Sequence, residues 1–213
     1  MLMEPENGVK LVSVHRVHGR ATLTLSTGET LCMPRAMLKE RPYRGGSPFD
    51  RAAFQAFIRE RSYSYAMEKA VALLAMRPRT QKELSDALHQ NAYSDEVIAR
   101  VMARMDEAGY VNDAEFASQW AASRTSRGMG ALRIRMELQK KGVDPDEIAG
   151  ALEALDEDDR MAGALKAAHK AASGKILSDP KDRQKILAAL ARRGYDHTTA
   201  KQALTALMEE EHT

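Results

Sequence analysis

The chain has 213 residues, of which 44% are hydrophobic, 29% charged and only 5% aromatic, with a formal net charge of +2. That is enough apolar matter for a core, but the charged fraction and the scarce aromatics suit a thin, helix-rich body better than one thick globule. The single cysteine, Cys32, excludes an internal disulfide, and the mild charge does not by itself identify a nucleic-acid binder. No run approaches about eighteen apolar residues, and the opening M-L-M-E-P-E-N lacks a basic stretch followed by an apolar one, so the expected compartment is the cytoplasm, with no membrane partner.

Residues 9 to 33 are the only β-like part, with apolar or β-branched residues close to period two. Gly19 and Thr27-Gly28 divide them into three short strands, a meander that needs a helix to lean on. Cys32 falls in the third strand and reads as packing. After Met33-Pro34, the run P-R-A-M-L-K-E-R gives one or two helical turns, and R-P-Y-R-G-G-S-P-F-D gives a loop. A helix starting at Asp50 carries Ala53, Phe54, Phe57 and Ile58 on one face. Ser62 or Ser64 opens the next, where Ala66, Ala70, Leu73 and Leu74 recur at helical spacing.

The stretch from Tyr110 to Gly142 is the pattern around which the helical part of the chain is organised. Asn112 or Asp113 caps a helix whose stripe of Phe116, Ala117, Trp120 and Ala121 buries the only tryptophan. Gly128 and Gly130 break it, and Leu132, Ile134, Met136 and Leu138 begin a second helix that Gly142 ends as a left-handed cap. Asp144-Pro145 caps a third. Ile134, Leu138, Gly142, Asp144 and Leu152 recur at an offset of 52 as Ile186, Leu190, Gly194, Asp196 and Leu204. An offset of 50 backwards places them on Leu84, Leu88, Ala92, Ser94 and Met102, so three helical units are expected. Thr80-x-x-Glu83 and Ser94 supply caps in the first unit, and Asp179-Pro180 and Asp196 in the third. At the first unit's corner, Asn91-Ala92 stands where the others have Lys141-Gly142 and Arg193-Gly194, which shifts the left-handed position to the asparagine. Tyr110, Val143 and Tyr195 read as corner packing, and methionines such as Met102, Met105 and Met136 as gap fillers.

The fold class is therefore mainly α: three tandem three-helix-bundle repeats in an elongated curved array, preceded by a small N-terminal β meander. The expected division is residues 1–61 for the β segment, loop and short helix, then 62–110, 111–156 and 157–213 for the three repeats.

Charge is unevenly spread. Residues 113 to 143 hold Arg124, Arg127, Arg133, Arg135, Lys140 and Lys141, and residues 144 to 160 are an acidic band. Arg124, Arg127 and Arg133 flank the glycine break, so two helices can aim them at one spot, where guanidiniums grip phosphate or carboxylate. Against this stands the plain reading of a solvated helix face. Enzyme signatures are missing: the six histidines show no H-E-x-x-H, Gly128-x-Gly130 lacks a preceding strand and a third glycine, and the run Asp156 to Asp159 points to different sides of a helix start. No catalytic residue, cofactor or metal is expected.

The run G-Y-V-N-D-A-E-F-A…W…R…G…R-I-R…E-L…K-G-V-D…I…A-L resembles the central repeat of the RecX family, bacterial regulators of the recombinase RecA. The likeness covers about residues 63 to 207 well and residues 9 to 60 in outline, with a β segment ahead of the repeats as in the longer family type. It implies a non-enzymatic, monomeric regulator that lies in the groove of the RecA filament on single-stranded DNA and modulates, mostly by inhibiting, its ATPase, strand exchange and growth in recombination, repair and the SOS response. The basic cluster is the contact that the resemblance favours, with single- or double-stranded DNA as a further partner. The alternative is a stand-alone DNA-binding module of degenerate helix-turn-helix-like repeats.

Overall fold

The computed structural model describes residues 8–211; the opening M-L-M-E-P-E-N and His212, on which parts of the targeting and zinc arguments rest, lie outside the described residues. The chain forms two compact units, one running to Val111 and the other starting at Asn112. It is mainly helical, with nine α-helices and one small sheet among the described residues.

In the first unit, β1 (Leu11–Val17), β2 (Arg20–Leu25) and β3 (Thr30–Pro34) form an antiparallel meander in the order β1-β2-β3. The pleat turns Ala21, Leu23 and Leu25 of β2 inward and leaves Thr22 and Thr24 at the rim. Cys32 of β3 is exposed rather than packed, because its neighbours Leu31 and Met33 point to the opposite face and Met33 takes the core position. A 3-10 turn at Arg35–Lys39 buries Met37. The helix the sheet leans on is α1 (Arg51–Met76), capped by Asp50, whose carboxylate accepts the Ala53 amide at 2.9 Å.

Helix α1 is continuous over 26 residues, where the sequence suggests two helices meeting near Ser62. Neither serine caps anything. Ser64 turns its hydroxyl back onto the Arg61 carbonyl at 2.9 Å, and buried Ser62 faces the Met37 sulfur, so both are satisfied without a break. The start of α1 gives Phe54, Phe57 and Ile58 to the sheet core. Its later turns give Ala66 and Ala70 to a second core, with Leu84 and Leu88 of α2 (Gln81–Gln90) and Ile98, Val101 and Met105 of α3 (Asp95–Glu107). Thr80 and Ser94 cap α2 and α3 as expected. Tyr110, read as corner packing, is solvent-exposed; the neighbouring Val111 fills the core instead.

The α2–α3 corner differs from the reading of its sequence. Asn91 keeps φ −91° while Ala92 takes the left-handed φ of 63°, as Gly142 and Gly194 do at the equivalent corners. Asn91 is held elsewhere: its side chain donates to the Ala87 carbonyl at 2.7 Å. A left-handed alanine carries a Cβ clash worth about 1–2 kcal/mol, so Ala92→Gly is expected to raise stability by about 1 kcal/mol, read as a higher urea midpoint.

The second unit holds two three-helix sets: α4 (Asp113–Thr125), α5 (Ala131–Lys140) and α6 (Pro145–Glu153), then α7 (Glu157–Ala172), α8 (Pro180–Arg192) and α9 (His197–Glu211). Asn112, Asp144, Asp156 and Asp179 cap α4, α6, α7 and α8, and Asp196 accepts the Thr199 amide at 2.9 Å at the start of α9. That amide and the Thr199 hydroxyl hold the Asp196 carboxyl below its ordinary range. Each set has its own core, around Phe116, Ile134, Leu138 and Ile148 in the first and around Ala168, Ile186, Leu190 and Leu204 in the second. Val143 and Tyr195 are buried at their corners, and burial pushes the Tyr195 hydroxyl up to about 12.

The two sets interlock through glycines. The Gly130 amide donates to the Arg193 carbonyl at 2.9 Å, and the Leu132 amide to the Gly194 carbonyl at 3.1 Å. A Cβ on Gly130 would sit 2.3 Å from the Gly194 carbonyl carbon, and one on Gly163 would sit 2.5 Å from the Thr125 carbonyl oxygen.

Candidate functional site

The six basic residues of the central repeat fall into separate groups. Arg124 of α4 points at Glu137 of α5, Nε to Oε2 at 2.8 Å, and both side chains are only about one-fifth exposed. The same carboxylate accepts the Trp120 indole N–H at 3.1 Å and lies 3.5 Å from Arg133 Nε. The Arg124 guanidinium lies over the Trp120 ring at 4.0 Å, the Lys141 ammonium over it at 4.4 Å, and Phe116 stacks on it at 5.6 Å. Trp120 is thus half-buried, capped by cations rather than swallowed by the core, because its N–H needs Glu137 at the rim. Arg124 and Lys141 are committed to this stack.

Arg133 and Lys140 behave differently. Helix α5 has 100° between residues, so the alternating Leu132, Ile134, Met136 and Leu138 do not share a face. Ile134 and Leu138 are fully buried, whereas Leu132 and Met136 are 54% and 57% exposed, which corrects the reading of Met136 as a gap filler. Leu132 and Met136, one turn apart, line a groove of about 330 Å³ with Arg133, Glu137 and Lys140. Its other wall is the end of α8, with Ala191, Arg192 and Gly194. Arg127, exposed on the turn after α4, and Arg135, half-buried on another side of α5, join neither the stack nor the groove lining. The expected convergence of Arg124, Arg127 and Arg133 therefore reduces to Arg124 and Arg133 on Glu137.

Arg192 was missed by sequence reasoning, although the signal was present. At the offset of 52, Lys140-Lys141-Gly142 maps onto Arg192-Arg193-Gly194. The structure treats the two pairs alike. The second cation of each is used internally, Lys141 over Trp120 and Arg193 donating to the Gly128 carbonyl at 3.2 Å, while the first is exposed at the groove.

The acidic band is locally employed. Asp144 and Asp156 accept the amides of Asp146 and Asp158 at 2.8 Å, and Glu157 pairs with Arg160 at 2.6 Å. No cluster of three or more metal-ligating side chains occurs among the described residues, and no helix there is long and apolar enough to cross a membrane.

Comparison with known proteins agrees with this architecture. Models of the first, second and third three-helix domains of RecX match residues 66–105, 112–152 and 157–204. The chain is 37% identical over 147 residues to the regulatory protein RecX of Mycolicibacterium vanbaalenii, covering 65% of this chain and 80% of that one. It is 35% identical to that of Amycolatopsis mediterranei, covering 71% and 86% respectively. A crystal structure of a regulatory protein RecX superposes with a TM-score of 0.63 at 17% identity, covering 92% of this chain and 98% of that one. That of RecX from Lactobacillus salivarius also gives 0.63, at 20% identity, covering 68% and 96%.

Proposed function

The chain belongs to the RecX family, and from that premise we propose that it is a non-enzymatic cytoplasmic regulator that binds the RecA filament on single-stranded DNA and restrains its ATP hydrolysis, strand exchange and growth. The observation that supports a protein partner is the α5–α8 groove. Two aliphatic side chains stand in solvent one helical turn apart, framed by Arg133, Lys140 and Arg192. An apolar centre with a cationic rim suits a partner segment that presents an apolar anchor flanked by carboxylates. Such a segment recurs on every subunit of a filament, so a monomer bound at one subunit meets the next at high effective concentration.

The test is single-stranded-DNA-dependent ATP hydrolysis by the host recombinase, with DNA saturating and this protein titrated in. Inhibition well below one molecule per recombinase monomer is expected. No effect at equimolar amounts of folded protein would overturn the reading and leave DNA binding alone as the next case. Joint reversal by Arg133→Glu, Lys140→Glu and Arg192→Glu is expected to raise the half-inhibitory concentration about tenfold or more without changing the helical circular dichroism, since reversed rim charges repel what they steered. Arg127→Glu, outside the groove, should do much less.

A further inference from the structure

The first unit carries a second basic surface that the α5–α8 groove does not involve. The tip of the β1–β2 hairpin is docked on the α2–α3 corner. There Arg20 donates from Nε to the Gln90 carbonyl at 3.1 Å and from Nη2 to the His89 carbonyl at 3.3 Å, capping the end of α2. Gly19 permits the approach, since a Cβ there would lie 1.7 Å from the Asn91 amide oxygen. In the same turn it is His18, not Gly19, that takes a positive φ, 51°.

This docking closes one side of an open cleft of about 650 Å³. Arg16 from β1, Arg35 and Lys39 from the 3-10 turn, and Lys69 from α1 line it, together with His18 of the hairpin turn. Glu68 is the one carboxylate in the lining. Glu40, next in sequence to Lys39, is already engaged by Arg61 at 3.0 Å and by the Tyr65 hydroxyl at 3.1 Å. Arg35 reaches only the His18 carbonyl, at 3.5 Å, and Arg16, Lys39 and Lys69 have no ion-pair partner among the described residues. Cations that converge from three separate elements are not the solvated face of one helix; the fold holds them together against their mutual repulsion.

We infer that this cleft is a binding site for phosphate groups in series. Two guanidiniums and two ammoniums against one carboxylate leave a surplus of positive charge within a single cleft. Phosphates joined by short links match that density, with arginine forks gripping pairs of oxygens and lysines acting as point charges. The chemistry is shared by a nucleic-acid strand and by a free polyphosphate such as that of a nucleoside triphosphate. The inference does not depend on the recombinase reading, and its test contains no recombinase.

The experiment uses the whole chain at about 0.15 M salt, where purely diffuse attraction is screened. A fluorescein-labelled oligothymidylate of about 15 nucleotides is followed by anisotropy, a length that spans a typical single-strand site. Inorganic tripolyphosphate and ATP are titrated by calorimetry. Saturable binding of at least one probe is expected, weakened roughly tenfold by Arg16→Glu with Lys39→Glu and unchanged by Arg133→Glu with Lys140→Glu. Binding of tripolyphosphate or ATP that displaces the strand assigns the cleft to free polyphosphates; binding of the strand alone assigns it to a nucleic-acid backbone. Should charge reversal disturb folding, Arg16→Gln with Lys39→Gln takes its place. Failure of every probe to bind, or equal weakening by the cleft pair and the α5 pair, would overturn the proposal.

Discussion

Gly130→Ala is expected to destabilise the second unit by about 3 kcal/mol, the upper end of the usual cost of forcing added atoms into a packed site. The added Cβ would meet the Gly194 carbonyl carbon and oxygen at 2.3 Å and the Tyr195 nitrogen at 2.4 Å. All three are backbone atoms, so no side chain can swing aside. Relief requires α5 to draw back from the α8–α9 corner, which lengthens the Gly130-to-Arg193 and Leu132-to-Gly194 hydrogen bonds. Trp120 is the only tryptophan and lies in this unit, so its fluorescence reports the loss selectively during urea unfolding. Gly150→Ala is the control: it lies within α6 with nothing near its would-be Cβ, so alanine should add several tenths of a kcal/mol through helix propensity. A Gly130→Ala protein as stable as the parent would show that the interlock is not tight.

Glu137→Ala is expected to cost about 2 kcal/mol in the same unit. Charged hydrogen bonds contribute about 1.5–3 kcal/mol each, and the lower part of that range applies because the Arg124–Glu137 pair keeps some solvent contact. Its removal orphans the Trp120 N–H and leaves Arg124 over the ring with no counter-charge. Glu137→Gln retains one acceptor oxygen and should lose less. The losses are read as lower urea midpoints by tryptophan fluorescence. Glu137 also lines the groove beside Arg133 and Lys140, so removing its charge leaves the rim more cationic, and folded Glu137→Gln is expected to inhibit the recombinase at least as well as the parent below its new midpoint. Loss of inhibition by that folded variant would show that the carboxylate itself makes a contact. The comparison matters for Arg124 as well, since Arg124→Ala would mimic a binding defect while acting on packing.

How much of the fold was legible in the sequence depended on how local the cause was. The caps at Thr80, Ser94, Asn112, Asp144 and Asp179 were readable because each rests on a side chain and an amide two or three residues away. The strands and their turns were readable from period two. What escaped was set by distant partners. Gly130 looked like half of a helix break, but Gly128 alone takes the left-handed φ, 73°, and Gly130 is required by a backbone more than sixty positions later. The basic cluster was visible as composition, yet only the fold separates Arg124 and Lys141, bound to Trp120, from Arg133 and Lys140 beside Arg192. Ser62 resembled a helix start because its type favours caps, and tertiary burial overrode that preference.

The uninterrupted helix through Ser62 has a mechanical meaning. At 1.5 Å per residue, the 26 residues of α1 make a rod of about 39 Å, and its two ends serve different hydrophobic cores. A rod embedded at both ends transmits displacement without bending, so a pull on the sheet is delivered to the first three-helix set. Cutting the chain near residue 61 would not free a module; it would leave Phe54, Phe57 and Ile58 beside the sheet on a helical stub of about eleven residues, too short to hold its shape alone, and a new frayed end at the helical core. Backbone amides on both sides of Ser62 should therefore exchange with solvent in one shared opening, so that sheet and first helical set gain or lose structure as a single foldon.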